Sequence, residues 1–101
     1  MTAADPWRQL LRDAADRIAR DGWCQGKYAD GRRRCLLGAI GFSIVNEIPE
    51  ENVHAACQVR AVLRARGVSV NGHVSIAAWN DAPGRTADEV IALLREAAEA
   101  A

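Results

Sequence analysis

The residues of this 101-residue chain best equipped for chemistry are three cysteines, two histidines and one dense polar stretch. Cys24 and Cys35 flank a basic loop, and a cysteine attacks or binds metal only as thiolate. Cys35 heads the apolar run Cys35-Leu36-Leu37-Gly38-Ala39-Ile40, and the positive end of a helix beginning there would favour that thiolate. Cys35, His73 and Asn80 follow the chain order of nucleophile, base and orienting amide found in papain-like enzymes, without the flanking signature of that class. With Cys24 as a second nucleophile or redox thiol, they define the enzymatic reading. No Cys-x-x-Cys pair occurs, so zinc would need Cys57, His54 or His73 brought in from scattered positions; no metal and no cofactor is expected. A Cys24–Cys35 disulfide is geometrically feasible, although a reducing compartment opposes it.

The polar stretch is Trp79-Asn80-Asp81-Ala82-Pro83-Gly84-Arg85-Thr86. Pro83-Gly84 suits the centre of a type II turn, and Thr86 with Glu89 matches a capping box. Asp81 is expected to form an Asx-turn or to pair with Arg85. These local roles leave Trp79, Asn80 and Arg85 without one. Three of the five aromatic residues are Trp, and Trp and Arg anchor interfaces well. The leading expectation is therefore a small non-enzymatic binding or regulatory module. It would present Trp23, Gln25, Trp79, Asn80, Asp81 and Arg85 to a protein or small-molecule partner. A cysteine-dependent enzyme or redox protein is the alternative.

These residues need a scaffold, and the apolar spacing supplies one. Asp5-Pro6 reads as cap and first position of a helix carrying Trp7, Leu10, Leu11, Ala14, Ile18 and Ala19 on one face and ending at Asp21-Gly22. Asp30-Gly31 reads as a hairpin turn that would set Tyr28 opposite Arg33 and Gly26 opposite Cys35. The run from Cys35 to Val45 reads as a buried helix, with Gly38 and Gly41 serving close approach of another backbone. Pro49-Glu50-Glu51 opens a third helix with Ala55, Ala56, Val59, Val62 and Leu63 as its core stripe, stopped by Gly67. Asn71 would cap a short helix reaching Trp79, and Val90, Ile91, Leu93, Leu94, Ala97 and Ala98 supply the packed face of the last.

The expected fold is all-α or mostly α: one domain over residues 1–101, four to five helices, and at most one small two-stranded β-hairpin between helices one and two. Its core should draw on Trp7, Leu11, Ile18, Leu37, Ile40, Val59, Leu63, Val90 and Leu94. Thirteen basic residues balance thirteen acidic ones, which argues against nucleic acid as a partner. The local exception is Arg32-Arg33-Arg34 near Lys27 and Tyr28, which reads first as a solvated turn. No stretch nears the ~20 apolar residues of a membrane span, and with no secretory signal read at the N-terminus a cytoplasmic monomer or homodimer is expected.

Trp23-Cys24-Gln25-Gly26, Cys35-Leu36-Leu37-Gly38-Ala39 and Trp79-Asn80-Asp81-x-Pro83-Gly84-Arg85-Thr86, in that order over nearly the whole chain, resemble a bacterial family of small proteins described only as a domain of unknown function. The resemblance implies a shared fold and carries no activity with it.

Overall fold

Helical periodicity dominates the chain, and five helices result. The computed structural model describes residues 5–43, 47–70 and 73–100, with the side chains of His73 and Val74 outside that description. In order these are α1 (Pro6–Asp21), β1 (Ala29–Asp30), β2 (Arg33–Arg34), α2 (Leu36–Ile40), α3 (Glu50–Ala65), α4 (His73–Asn80) and α5 (Ala87–Glu99). The fold is mostly α, with one small antiparallel ribbon between α1 and α2, as the sequence led us to expect.

α1 buries Trp7, Leu11, Ala14, Ala15 and Ile18, residues one helical turn apart along a single stripe. α5 answers with Val90, Leu93, Leu94, Ala97 and Ala98, and the alanines on both stripes let the two helices lie close together. Arg8 ties the pair at one end, its Nη1 donating to the Ala98 carbonyl at 2.8 Å. α3 closes the core with Ala55, Ala56, Val59, Val62 and Leu63, while α2 and α4 pack on each other and on α3. All nine residues expected in the core are 8 % exposed or less.

The helix ends depart from the sequence reading in instructive ways. Thr86 and Glu89 form the expected capping box, which contributes about 1 kcal/mol in such helices. Asp5 occupies the cap position of α1 and its carbonyl accepts from Arg8 N–H at 3.0 Å, but its side chain makes no bond to the helix backbone; the carboxylate is taken instead by Arg8 Nε at 3.1 Å. α2 is far shorter than the expected run from Cys35 to Val45. It stops at Gly41, whose left-handed backbone (φ 108°) turns its N–H back onto the carbonyls of Gly38 and Leu37, and Asn52 Nδ2 covers the Ile40 carbonyl at 2.8 Å. Residues 44 and 45 of that run, and the Asn71 cap, lie outside the described residues.

The ribbon is also shifted by one residue from the expected register. Ala29 pairs with Arg34 and Asp30 with Arg33, so the two turn residues are Gly31 and Arg32, not Asp30 and Gly31. Gly31 has φ 62° while no residue other than glycine has positive φ among those described, which fits a hairpin turn with glycine in the first central position. A parallel bridge between Trp23 and Arg34 then joins the segment after α1 to the ribbon. Cys24 N–H donates to the Arg34 carbonyl at 3.2 Å and Cys35 N–H to the Tyr28 carbonyl at 3.2 Å. The expected apposition of Gly26 with Cys35 is replaced by this arrangement, which sets Cys24 and Cys35 one residue beyond a bridged pair.

Candidate functional site

Asn80 is the polar residue buried among the described residues, at 1 % exposure, and it makes every hydrogen bond its amide can direct. Its Oδ1 accepts from the Trp23 indole Nε1 at 2.7 Å and from the Leu36 backbone N–H at 3.0 Å. Its Nδ2 donates to the Cys24 carbonyl at 3.2 Å and to Asp81 Oδ1 at 2.9 Å. Donors face one end of the amide and acceptors the other, which fixes its orientation. The last residue of α4 thereby clamps the first residue of α2 to the segment that follows α1. Around it, Gln25 Nε2 donates to the carbonyl of Asn80 (3.1 Å), which the end of α4 leaves without a helical partner, and to that of Ala82 in the following turn (3.2 Å). Gly26 N–H donates to Asp81 Oδ1 at 2.9 Å.

Asp81 is thus held by Gly26 and Asn80 and neither pairs with Arg85 nor turns on its own backbone as expected, because the segment after Trp23 reaches it first. Arg85 goes the other way. Its Nε donates to the Trp79 carbonyl at 2.9 Å, its Nη1 meets Glu89 Oε2 at 2.9 Å, and its guanidinium lies 3.9 Å over the centroid of the Trp79 ring. That arginine and the Thr86 N–H keep the Glu89 carboxyl below the usual carboxylate value. The expected type II turn is closed by Arg85 N–H donating to the Ala82 carbonyl at 3.1 Å. Trp23, Gln25, Trp79, Asn80, Asp81 and Arg85 are therefore brought together, but each points into a contact within the protein. Among the described residues no buried side-chain nitrogen or oxygen lacks a partner.

The thiols sit at the same junction. Cys35 precedes the first turn of α2, and its Sγ accepts from Gly38 N–H at 3.3 Å. The N–H groups of Gly38 and Leu37 favour the thiolate, as a helix start should, yet burial outweighs them and pushes the Cys35 thiol up. Burial likewise pushes the Cys24 thiol up, with the Asp30 carboxylate adding to the effect; Cys24 Sγ lies 3.5 Å from the Lys27 carbonyl. Both cysteines are buried, and neither is in a disulfide. His73 begins α4, with its side chain outside the described residues, and exposed His54 stacks on Trp7 at 5.0 Å, on a different part of the surface. Among the described residues no three His, Cys, Asp or Glu side chains are placed to hold a metal ion, and no helix is long and apolar enough to cross a membrane.

Beside the junction opens a cleft of about 760 Å³ between the Gly26–Tyr28 segment, the ribbon, both ends of α2 and the end of α4. Tyr28, Ala29, Phe42 and Ala77 give it an apolar lining, Cys35 and Asn80 edge it, and Arg17, Lys27, Arg34 and Asp81 carry its charges. Gly38 makes the geometry possible. A Cβ there would collide with the Tyr28 carbonyl oxygen, so only glycine lets the ribbon lie against α2. Lys27, Tyr28 and Arg34 stood out in the sequence as a basic, aromatic hairpin. Arg17, Phe42 and Ala77 did not, since nothing local marks them as neighbours of that hairpin.

The chain belongs to a family of unknown function (DUF6197), whose family model matches residues 2–100. No curated protein and no solved structure matches the chain.

Proposed function

We propose that this protein is a small non-enzymatic binding module and that its binding site is the cleft between the ribbon, α2 and α4, sized for a small organic ligand. The observation that carries the reading is the cleft itself. At about 760 Å³ it falls within the range of ligand sites, roughly 300–1,000 Å³, and it combines an apolar lining with a few charged side chains at its edge. The Trp and Asn motifs build its wall. Asn80 and Asp81 line it, Trp23 and Gln25 hold Asn80, Gly26 holds Asp81, and Arg85 fastens the Trp79 carbonyl just before them.

Cysteine chemistry has one point in its favour, that Cys35 edges the same cleft. The state of the thiol weighs against it. Burial holds Cys35 in its protonated form at neutral pH, and a weak Gly38 N–H···S contact is a poor substitute for a general base. Binding without covalent chemistry is the better use of such a site.

An amide NMR titration with two aromatic probes of equal size, 2-naphthoate and uncharged 2-naphthamide, tests the reading. Saturable shifts at Tyr28, Ala29 and Ala77 from at least one probe are expected, and they should disappear when the cleft is filled by Ala77→Phe or Ala29→Trp. Shifts scattered over the surface, or none that saturate with either probe, would remove the cleft as a site.

A further inference from the structure

Arg17 differs from the other half-buried arginines. Arg8 bonds Asp5 and the Ala98 carbonyl, Arg12 bonds Glu99, Arg34 bonds the Gly31 and Arg33 carbonyls, and Arg85 bonds the Trp79 carbonyl and Glu89. Even Arg60 lies 3.7 Å from the Cys57 sulfur. Arg17 makes no hydrogen bond and no ion pair within 4.0 Å to any described residue. The helix offers it three carboxylates, each hydrogen-bonded to another side chain: Asp13 to Gln9 at 2.8 Å, Asp16 to Arg95 at 3.4 Å, and Asp21 to Arg20 at 3.1 Å, so Arg17 acts on Asp21 only through its charge. A guanidinium has five donors and always carries its charge; since no buried side-chain nitrogen lacks a partner among the described residues, those of Arg17 face solvent and stay open to an incoming acceptor.

Arg17 lines both the cleft and a second, smaller hollow that holds Asp13, Asp16 and Asp21 against Arg20. On that side three aspartates outnumber Arg20, which is paired with Asp21, so the hollow is less favourable to an anion than the cleft. On the cleft side the neighbouring charges are Lys27 and Arg34, against the single carboxylate of Asp81, which already accepts from Gly26 and Asn80. Lys27 is 3.8 Å from Asp30, both exposed, a weak and screened pairing that leaves positive potential at the rim. Tyr28, Phe42 and Ala77 line the same cleft and give it apolar surface.

We infer that the cleft takes a small amphiphilic anion, an apolar body of about ring size ending in one carboxylate, with Arg17 as the residue that receives the carboxylate. The inference rests on the binding reading above. The planar fork of a guanidinium fits a carboxylate through two parallel N–H···O bonds, and the apolar body replaces water against Tyr28, Phe42 and Ala77. Lys27 and Arg34 add attraction at longer range and set the sign of the ligand.

The same two probes separate this inference from the reading beneath it. In the wild type 2-naphthoate should bind at least fivefold more tightly than 2-naphthamide at low salt, and Arg17→Gln should bring the two affinities together. The Arg17 side chain makes no hydrogen bond or ion pair with a described residue, so the variant is expected to keep its fold; Arg17→Lys, which keeps the charge without the fork, should retain part of the preference, and Arg33→Gln, exposed on the ribbon, all of it. Equal binding of both probes to the wild type would overturn the anion while leaving the binding module standing. A preference for naphthoate that survives Arg17→Gln would overturn the assignment to Arg17. If neither probe binds, the cleft is no site and both readings fall.

Discussion

Replacing Asn80 with Ala tests whether one amide holds the junction together. The change orphans the Trp23 indole N–H, the Leu36 N–H and the Cys24 carbonyl; Leu36 is 0 % exposed and Cys24 8 %. A buried polar group deprived of its partner costs about 1–3 kcal/mol. Water entering the space left by the side chain recovers part of that, so the lower half of the range applies to each of the three groups and the expected total is about 3–6 kcal/mol. A domain of this size is stable by only ~5–15 kcal/mol, so the variant should sit near the edge of folding. Urea unfolding followed by tryptophan fluorescence would read the loss. Gln25→Ala is the control, because its two bonds come from an exposed side chain and their loss should cost about 1 kcal/mol or less. Asn80→Asp adds a sign. It keeps the acceptor facing Trp23 and Leu36 but sets an oxygen against the Cys24 carbonyl and the Asp81 carboxylate, which raises the folded pKa of the new carboxyl above its unfolded value of about 3.9. The stability of that variant relative to wild type is then greatest below the unfolded value and is lost as pH rises through the folded one. The reasoning is refuted if Asn80→Ala costs no more than Gln25→Ala, or if Asn80→Asp is equally destabilised at pH 4 and pH 7.

Gly38→Ala would drive a methyl into the Tyr28 carbonyl, a backbone oxygen already held by Cys35 N–H. It should cost about 3 kcal/mol and accelerate exchange of the Cys35 amide. Gly26→Ala, strained by φ 81° but with open space around the new methyl, should cost about 1 kcal/mol; equal losses for the two would disprove the close approach. The thiols make a pH prediction. Their pKa values are raised in the fold above the usual 9.0, so the stability they contribute is complete below about pH 9 and is lost as pH rises through the higher folded values. Wild type should therefore lose stability above pH 9 more steeply than a Cys24→Ala, Cys35→Ala double variant. Iodoacetamide at pH 7.5 should modify half-exposed Cys57 well before either of them, and fast modification of Cys35 would favour the enzymatic alternative.

Local rules made much of the fold legible. A stripe such as Trp7, Leu11, Ala14 and Ile18 states its helix and its buried face together, and the Thr86–Glu89 cap and the Pro83-Gly84 turn are complete within a few residues. Errors arose where two local solutions differ little. Asp30-Gly31 and Gly31-Arg32 are both workable turns, and the bridge from Trp23 to Arg34, which no local rule contains, accompanies the second. The apolar run after Cys35 gives no sign of where α2 ends, because a glycine at position 41 is compatible with either helix or stop until Asn52 covers the Ile40 carbonyl. The site was legible only in its membership. Trp23, Gln25, Asn80 and Asp81 could be named from their types, but that Trp23 and Gln25 bond Asn80, and Gly26 bonds Asp81, across 55 to 57 residues could not. Arg17 was invisible for a related reason. On the polar side of α1 it is one charge among many, and its distinction lies in what Gln9, Arg20 and distant Arg95 do to the aspartates around it.

The four bonds of Asn80 also bear on how fast and at what entropic cost a ligand could settle in the cleft. A wall whose hydrogen bonds are complete beforehand has little left to order, so association would be limited by diffusion and orientation and not by a slow rearrangement of that wall. Affinity would then be tuned mainly through dissociation, by how well the ligand's body fills the space against Tyr28 and Ala77. Related chains that keep this asparagine clamp and vary those two lining positions would share one rigid frame while selecting different guests.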